Sequence, residues 1–123
     1  MSSKGRRGSK RRVGRDLAAR LLSTLSQDKA FHFYLDVDKP TGIYANSLQE
    51  FSQRLLEVDP KSVSFHLKRG DFGNWLSEAV GDKELASKIE GFKDLPLPIE
   101  ELRSKVHNEV RARFDELSTA LTV

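Results

Sequence analysis

The sequence predicts an α+β chain that is predominantly helical: a small β-hairpin, five or six helices and a disordered basic N-terminal arm. Strand-like alternation with a period of two is confined to Phe31–Leu35, whereas elsewhere the apolar residues recur every three or four positions. Gly-Asp and Asp-Pro steps supply helix stops and starts at close intervals. The first fifteen residues, MSSKGRRGSKRRVGR, hold seven Lys or Arg and neither an acidic residue nor a large apolar run.

A chain of 123 residues suits one domain with a terminal extension. The expected division is an arm over residues 1–12 and a single compact domain over 13–123. The formal charge of +3 hides a segregation: beyond residue 15 there remain fourteen basic and eighteen acidic residues, a balance of −4. The basic character therefore belongs to the arm and not to the fold. With no cysteine there is no disulfide framework, thiolate metal site or cysteine nucleophile. Leu17–Leu25 is broken by Arg20, Ser23 and Thr24, so it does not make a signal-peptide core, and no stretch approaches the roughly 20 apolar residues that span a bilayer. A soluble, cytoplasmic protein is expected.

The elements follow in order. The Gly/Ser/Lys/Arg arm buries too little apolar surface to offset its ordering entropy. From Val13 to Leu25 the spacing of Val13, Leu17, Leu21, Leu22 and Leu25 predicts an amphipathic helix. Phe31, Phe33 and Leu35 alternate with His32, Tyr34 and Asp36 as a half-buried strand; DKPTG offers turn chemistry, and GIYA returns as its partner. Ser47 and Glu50 form a capping box ahead of Leu48, Phe51, Leu55 and Leu56. Asp59-Pro60 opens a helix carrying Val63 and Leu67, which Gly70 stops. Asp71 is read as the cap of a second short helix with Phe72, Trp75, Leu76 and Val80 inward, and Gly81-Asp82 repeats the stop and start before Leu85, Ile89 and Phe92. KDLPLP interrupts the pattern. Then Ile99, Leu102, Val106, Val110, Phe114, Leu117 and Leu121 mark a long helix over 98–120, whose stripe is read as core, with part of it free to pair with the N-terminal helix or a second subunit.

Clustered Arg and Lys neutralise phosphates and release counterions, and seven such contacts on single-stranded RNA would give a slope of log K against log salt of roughly −5. Lys4, Arg6, Arg7, Lys10, Arg11, Arg12 and Arg15 are the expected phosphate contacts, with Arg20, Lys68 and Arg69 as a secondary surface. FHLKRGDFGNWL, residues 65–76, admits two readings. In one, the Gly70 corner presents Arg69 to phosphate and Trp75 to a base. In the other, which is preferred, Asp71 caps a helix, Trp75 fills the core and Arg69 pairs with a carboxylate. His32, His66 and His107 have no ligand spacing, Glu100 and Glu101 suit a helix start, and GRRGSK lacks the strand–helix context of a phosphate loop. Neither a metal, nor a cofactor, nor catalytic residues are expected. The acidic body is a poor general coat for DNA, so it is expected to meet protein or water.

From Phe31 to about Phe92 the chain resembles an uncharacterised, largely archaeal domain family. The resemblance rests on Pro40–Ile43 (PTGI), on Ser47–Phe51 (SLxEF), and on His66 with Leu67, Arg69–Phe72 and Trp75 with Leu76 (HLxRGDFxxWL). It implies a compact, mostly helical domain and no particular reaction, and it leaves the arm and the terminal helix outside. The arm separately resembles the extensions of small archaeal ribosomal proteins. The expected function is a non-enzymatic RNA-binding accessory protein, ribosomal or ribosome-associated, with RNA favoured over DNA, other proteins of a ribonucleoprotein as partners, and neither a membrane nor a small-molecule ligand. The alternatives are a DNA-binding nucleoid or transcription-associated protein and a protein-interaction module using the long C-terminal helix.

Overall fold

The computed structural model describes residues 13–122, and the arm residues Lys4, Arg6, Arg7, Lys10, Arg11 and Arg12 lie outside them. The described chain is α+β and predominantly helical, with six α-helices and one two-stranded antiparallel hairpin. In order these are α1 (Arg15–Leu21), a 3-10 turn (Gln27–Lys29), β1 (Phe31–Asp36), β2 (Lys39–Ala45), α2 (Leu48–Glu57) and α3 (Pro60–Arg69). There follow α4 (Asp71–Trp75), continued by a π turn (Leu76–Val80), then α5 (Lys83–Glu90) and α6 (Ile99–Thr122). The long α6 is the spine against which α1, α2, α3 and α5 pack. No helix among the described residues is long and apolar enough to cross a membrane.

The hairpin departs from the sequence reading at its turn. β2 begins at Lys39, so Pro40, Thr41 and Gly42 belong to the strand and the reversal falls at Val37–Asp38. Proline is tolerated because Pro40 pairs with Tyr34 where the register is irregular on both sides. Thr41 holds that irregularity: its hydroxyl donates to the Phe33 carbonyl at 2.8 Å and accepts from the Ile43 amide at 3.0 Å. Gly42 takes φ 81°, the positive value its position demands. Phe31 and Phe33 point into the core, but Leu35, next in the alternation, is 38% exposed.

Most helix boundaries follow from their caps. The Ser47 hydroxyl accepts from Glu50 N–H at 3.1 Å, and Glu50 Oε1 reaches back to the Asn46 amide at 3.1 Å. Asp59 accepts from Lys61 N–H with Pro60 in the first turn, and Gly70 ends α3 at φ 80°. The expected cap at Asp71 is absent: Gly70 itself is the N-cap of α4, with no side-chain bond, and the Asp71 carboxylate turns toward α3. One residue on each of two expected apolar faces turns outward, while Leu21, Leu48, Phe51 and Leu55 are buried as expected. Leu17 is 37% exposed while Ala18 is buried, so the short α1 meets α6 through Ala18 and Leu21; Leu56 is 54% exposed because α2 buries Ser52 instead.

The core is one cluster centred on Phe31, whose ring lies 4.8–5.8 Å from those of Phe33, Phe51, His66, Phe72 and Trp75. On α6 the middle of the apolar stripe is covered, at Leu102, Val106, Val110 and Leu117, while Ile99 and Leu121 at its ends are partly exposed. Arg113 joins the buried face by a bidentate pair with Asp82, Nε to Oδ2 at 2.8 Å and a terminal nitrogen to Oδ1 at 3.1 Å. Asp82 Oδ1 also accepts from Leu85 N–H at 3.1 Å as the cap of α5, so one carboxylate starts a helix and anchors the spine.

Candidate functional site

An open cleft of about 670 Å³ lies where β1, the end of α3, α4 and the 3-10 turn converge. Its inner wall is made by the buried Phe31, His66 and Trp75 with the half-buried Tyr34 and Phe65. Around the mouth stand the exposed Asp28, Lys29, His32, Arg69, Asn74 and Glu78. Half of FHLKRGDFGNWL thus faces this one space.

A chain of polar contacts fixes the wall. Tyr34 N–H donates to His66 Nε2 at 2.8 Å, and His66 Nδ1 lies 2.8 Å from Asp71 Oδ2. Because Nε2 accepts, the imidazole is neutral and its proton is on Nδ1, donated to Asp71. Burial holds the His66 pKa below its ordinary 6.5, against the opposing hydrogen bond and charge of Asp71. Both ring nitrogens are spent on structure, one of them tying β1 to α3. The sequence signal for this contact was a histidine on the inner face of a helix, with Gly-Asp closing the turn four and five residues on.

The same Asp71 oxygen lies 3.2 Å from Arg69 Nε, and the Arg69 guanidinium carbon sits 4.9 Å from the centre of the Phe65 ring. Aromatic face and carboxylate together orient the guanidinium, and among the described residues no hydrogen bond engages its terminal nitrogens. The Trp75 indole N–H donates to the Lys29 carbonyl at 2.8 Å, which fastens the 3-10 turn to α4. Asp28 keeps its pKa below the usual carboxylate value mainly through the Ser26 hydroxyl, 2.6 Å away, and so remains charged at the mouth.

Lys68 and Arg69 close α3 and are exposed, with Arg69 on the cleft; Arg15 and Arg20 are exposed on α1, which packs against α6. Of the two readings of residues 65–76, the structural one describes Trp75, buried with its N–H spent, and Arg69, paired with a carboxylate. Phe65 and Asn74 lie in the stretch that the sequence singled out, but sequence reasoning did not join to it Lys29, His32, Tyr34 and Glu78, which come from three other segments and share no spacing that would have grouped them. Among the described residues no three His, Asp or Glu come together as a metal-ion site. What the cleft offers is an aromatic wall of rings packed edge to face beside a guanidinium that rests on Phe65 and Asp71, with amide and carboxylate groups at the mouth.

No curated protein and no solved structure matches the chain. The model of the family DUF5752, a family of unknown function, matches residues 26–122. That span takes in the hairpin, the cleft and also α6, which the likeness seen in the sequence had left outside; α1 and the arm precede it. The chain therefore belongs to the DUF5752 family of unknown function.

Proposed function

We propose that this protein is a non-enzymatic RNA-binding accessory protein that joins ribosomal RNA or another ribonucleoprotein through Lys4, Arg6, Arg7, Lys10, Arg11, Arg12 and Arg15. The observation that carries the reading is the segregation of charge: residues 1–15 hold seven cations and no carboxylate, while residues 16–123 hold fourteen basic and eighteen acidic residues. Such a chain attracts a polyanion at one end and presents a weakly repelling body. Arg20, Lys68 and Arg69, all exposed, add to the contact once the arm has docked. The likeness of the arm to archaeal ribosomal-protein extensions favours RNA, and a cytoplasmic location follows from that partner.

The test replaces the seven arm cations by Gln in the full chain and compares affinity for structured RNA and for duplex DNA at one fixed salt concentration. The expected result is loss of most RNA affinity, with the unsubstituted chain preferring RNA in direct competition. Affinity unchanged by the substitutions overturns the reading, and preference for duplex DNA replaces it by the nucleoid or transcription-associated alternative. The interaction module built on the terminal helix has less support, since the middle of the α6 stripe is already covered.

A further inference from the structure

We propose that the cleft between β1, α3 and α4 binds a single nucleotide, its base against the aromatic wall and its phosphate on the Arg69 guanidinium. The inference takes from the RNA reading only the source of that nucleotide, since its residues lie between 28 and 79 and share nothing with the arm. At about 670 Å³ the cleft falls in the size range of sites that enclose small organic ligands. The half-buried Tyr34 and Phe65, with the small exposed part of Trp75, supply aromatic surface against which a nucleobase packs its π face.

Arg69 sets the acidic end of the ligand. Its Nε lies beside Asp71 and its plane lies over Phe65, so the fork of terminal nitrogens is held in place before any ligand arrives. A fork of that shape matches the oxygens of a phosphate. Asp71 does not repel that phosphate strongly, because its oxygen already receives the His66 N–H and the Arg69 charge. The remaining carboxylates, Asp28 and Glu78, stand at the exposed mouth with Asn74 and Lys29. They are acceptors for the N–H edge of a base, and Asn74 offers both a donor and an acceptor. The need for such an edge separates a nucleotide from a simple anion.

Trp75 is the sole tryptophan of the chain and lines the cleft, so its fluorescence and its indole N–H resonance report occupancy directly. The full chain and its Arg69→Ala variant would be titrated with the four ribonucleoside 5′-monophosphates, the matching nucleosides, inorganic phosphate and a short unstructured RNA. Saturable binding of at least one monophosphate is expected, weakened about tenfold in Arg69→Ala as a charge-assisted contact is lost. Nucleosides should bind more weakly than monophosphates to the unsubstituted chain and equally to both proteins. The Gln-substituted arm variant should bind monophosphates unchanged, so failure of the arm reading leaves this result intact. A short RNA that moves the Trp75 signals places RNA in the cleft, and monophosphates acting alone make a free nucleotide the source; both support the proposal. No saturable change, inorganic phosphate binding as tightly as the monophosphates, or equal affinity in Arg69→Ala overturns it.

Discussion

His66 is uncharged in the fold because its Nε2 accepts the Tyr34 amide and its Nδ1–H is donated to Asp71, while burial disfavours a second proton. Its pKa in the fold lies below the 6.5 of the free side chain, so the unfolded chain takes up a proton first as the solution is acidified. This contribution to stability is fully present above pH 6.5 and is lost as pH falls from there toward the depressed value. Urea unfolding over about pH 5 to 8 should show it as a fall in midpoint that is shallower in His66→Phe, and equal slopes in the two proteins would refute the assignment. Arg113 keeps its charge instead. Burial lowers its pKa, but the bond and charge of Asp82, with Glu116 and Glu84, outweigh that and raise it above its ordinary value. Removing the guanidinium strands a buried carboxylate, so Arg113→Met should cost about 3–5 kcal/mol in urea unfolding. The doubly substituted Asp82→Asn, Arg113→Met chain should lose less than the sum of the single changes.

The elements themselves were legible where a side chain closes a helix. Ser47, Asp59 and Asp82 each accept the expected backbone N–H, and Gly70 and Gly81 take the positive φ that ends their helices. Local chemistry settled those boundaries, and a single sequence carries local chemistry. What it did not carry was which of two neighbouring residues meets a distant element. Asp71 had a better partner in His66 than in its own helix start, and Ala18 and Ser52 are buried where Leu17 and Leu56 were expected to be. Gly73 is the sharpest such case, since a glycine within a short helix reads as a weakness. An added Cβ there would stand 2.5 Å from Glu90 Oε2 and 2.7 Å from its Cγ, so the glycine is what lets α5 lie against α4. Gly73→Ala should therefore destabilise the protein by about 1–3 kcal/mol through overpacking. In a Glu90→Ala background the same change should stabilise by about 0.5–1 kcal/mol, the ordinary helix preference of alanine. A thermal-melt double-mutant cycle reads the sign reversal, and its absence would mean that Glu90 swings aside freely.

At the scale of the molecule the two candidate contacts differ in how they are written. The arm is contiguous, so counting charge along the chain finds it; the cleft is assembled from the 3-10 turn, β1, α3 and α4, and only the Arg69–Trp75 corner of it was visible beforehand. They also differ in the physics of binding, which makes them separable without any structure of a complex. Contacts between the arm and RNA phosphates release counterions, and with seven of them on single-stranded RNA the slope of log K against log salt should be about −5. The described residues carry an excess of three acidic over basic side chains, so when the arm is neutralised only the exposed Arg20, Lys68 and Arg69 remain to contact phosphate. The full chain with Gln at all seven positions should give a weaker K and a slope no steeper than about −2, the share left to Arg20, Lys68 and Arg69. Arg69→Ala should shift the slope by no more than about one, the share of a single phosphate contact, while weakening the Trp75 response to monophosphates about tenfold. Equilibrium titrations at four or five salt concentrations measure both slopes. A slope that stays steeper than that after the arm cations are gone would place the polyanion on the body, and the arm would lose its role.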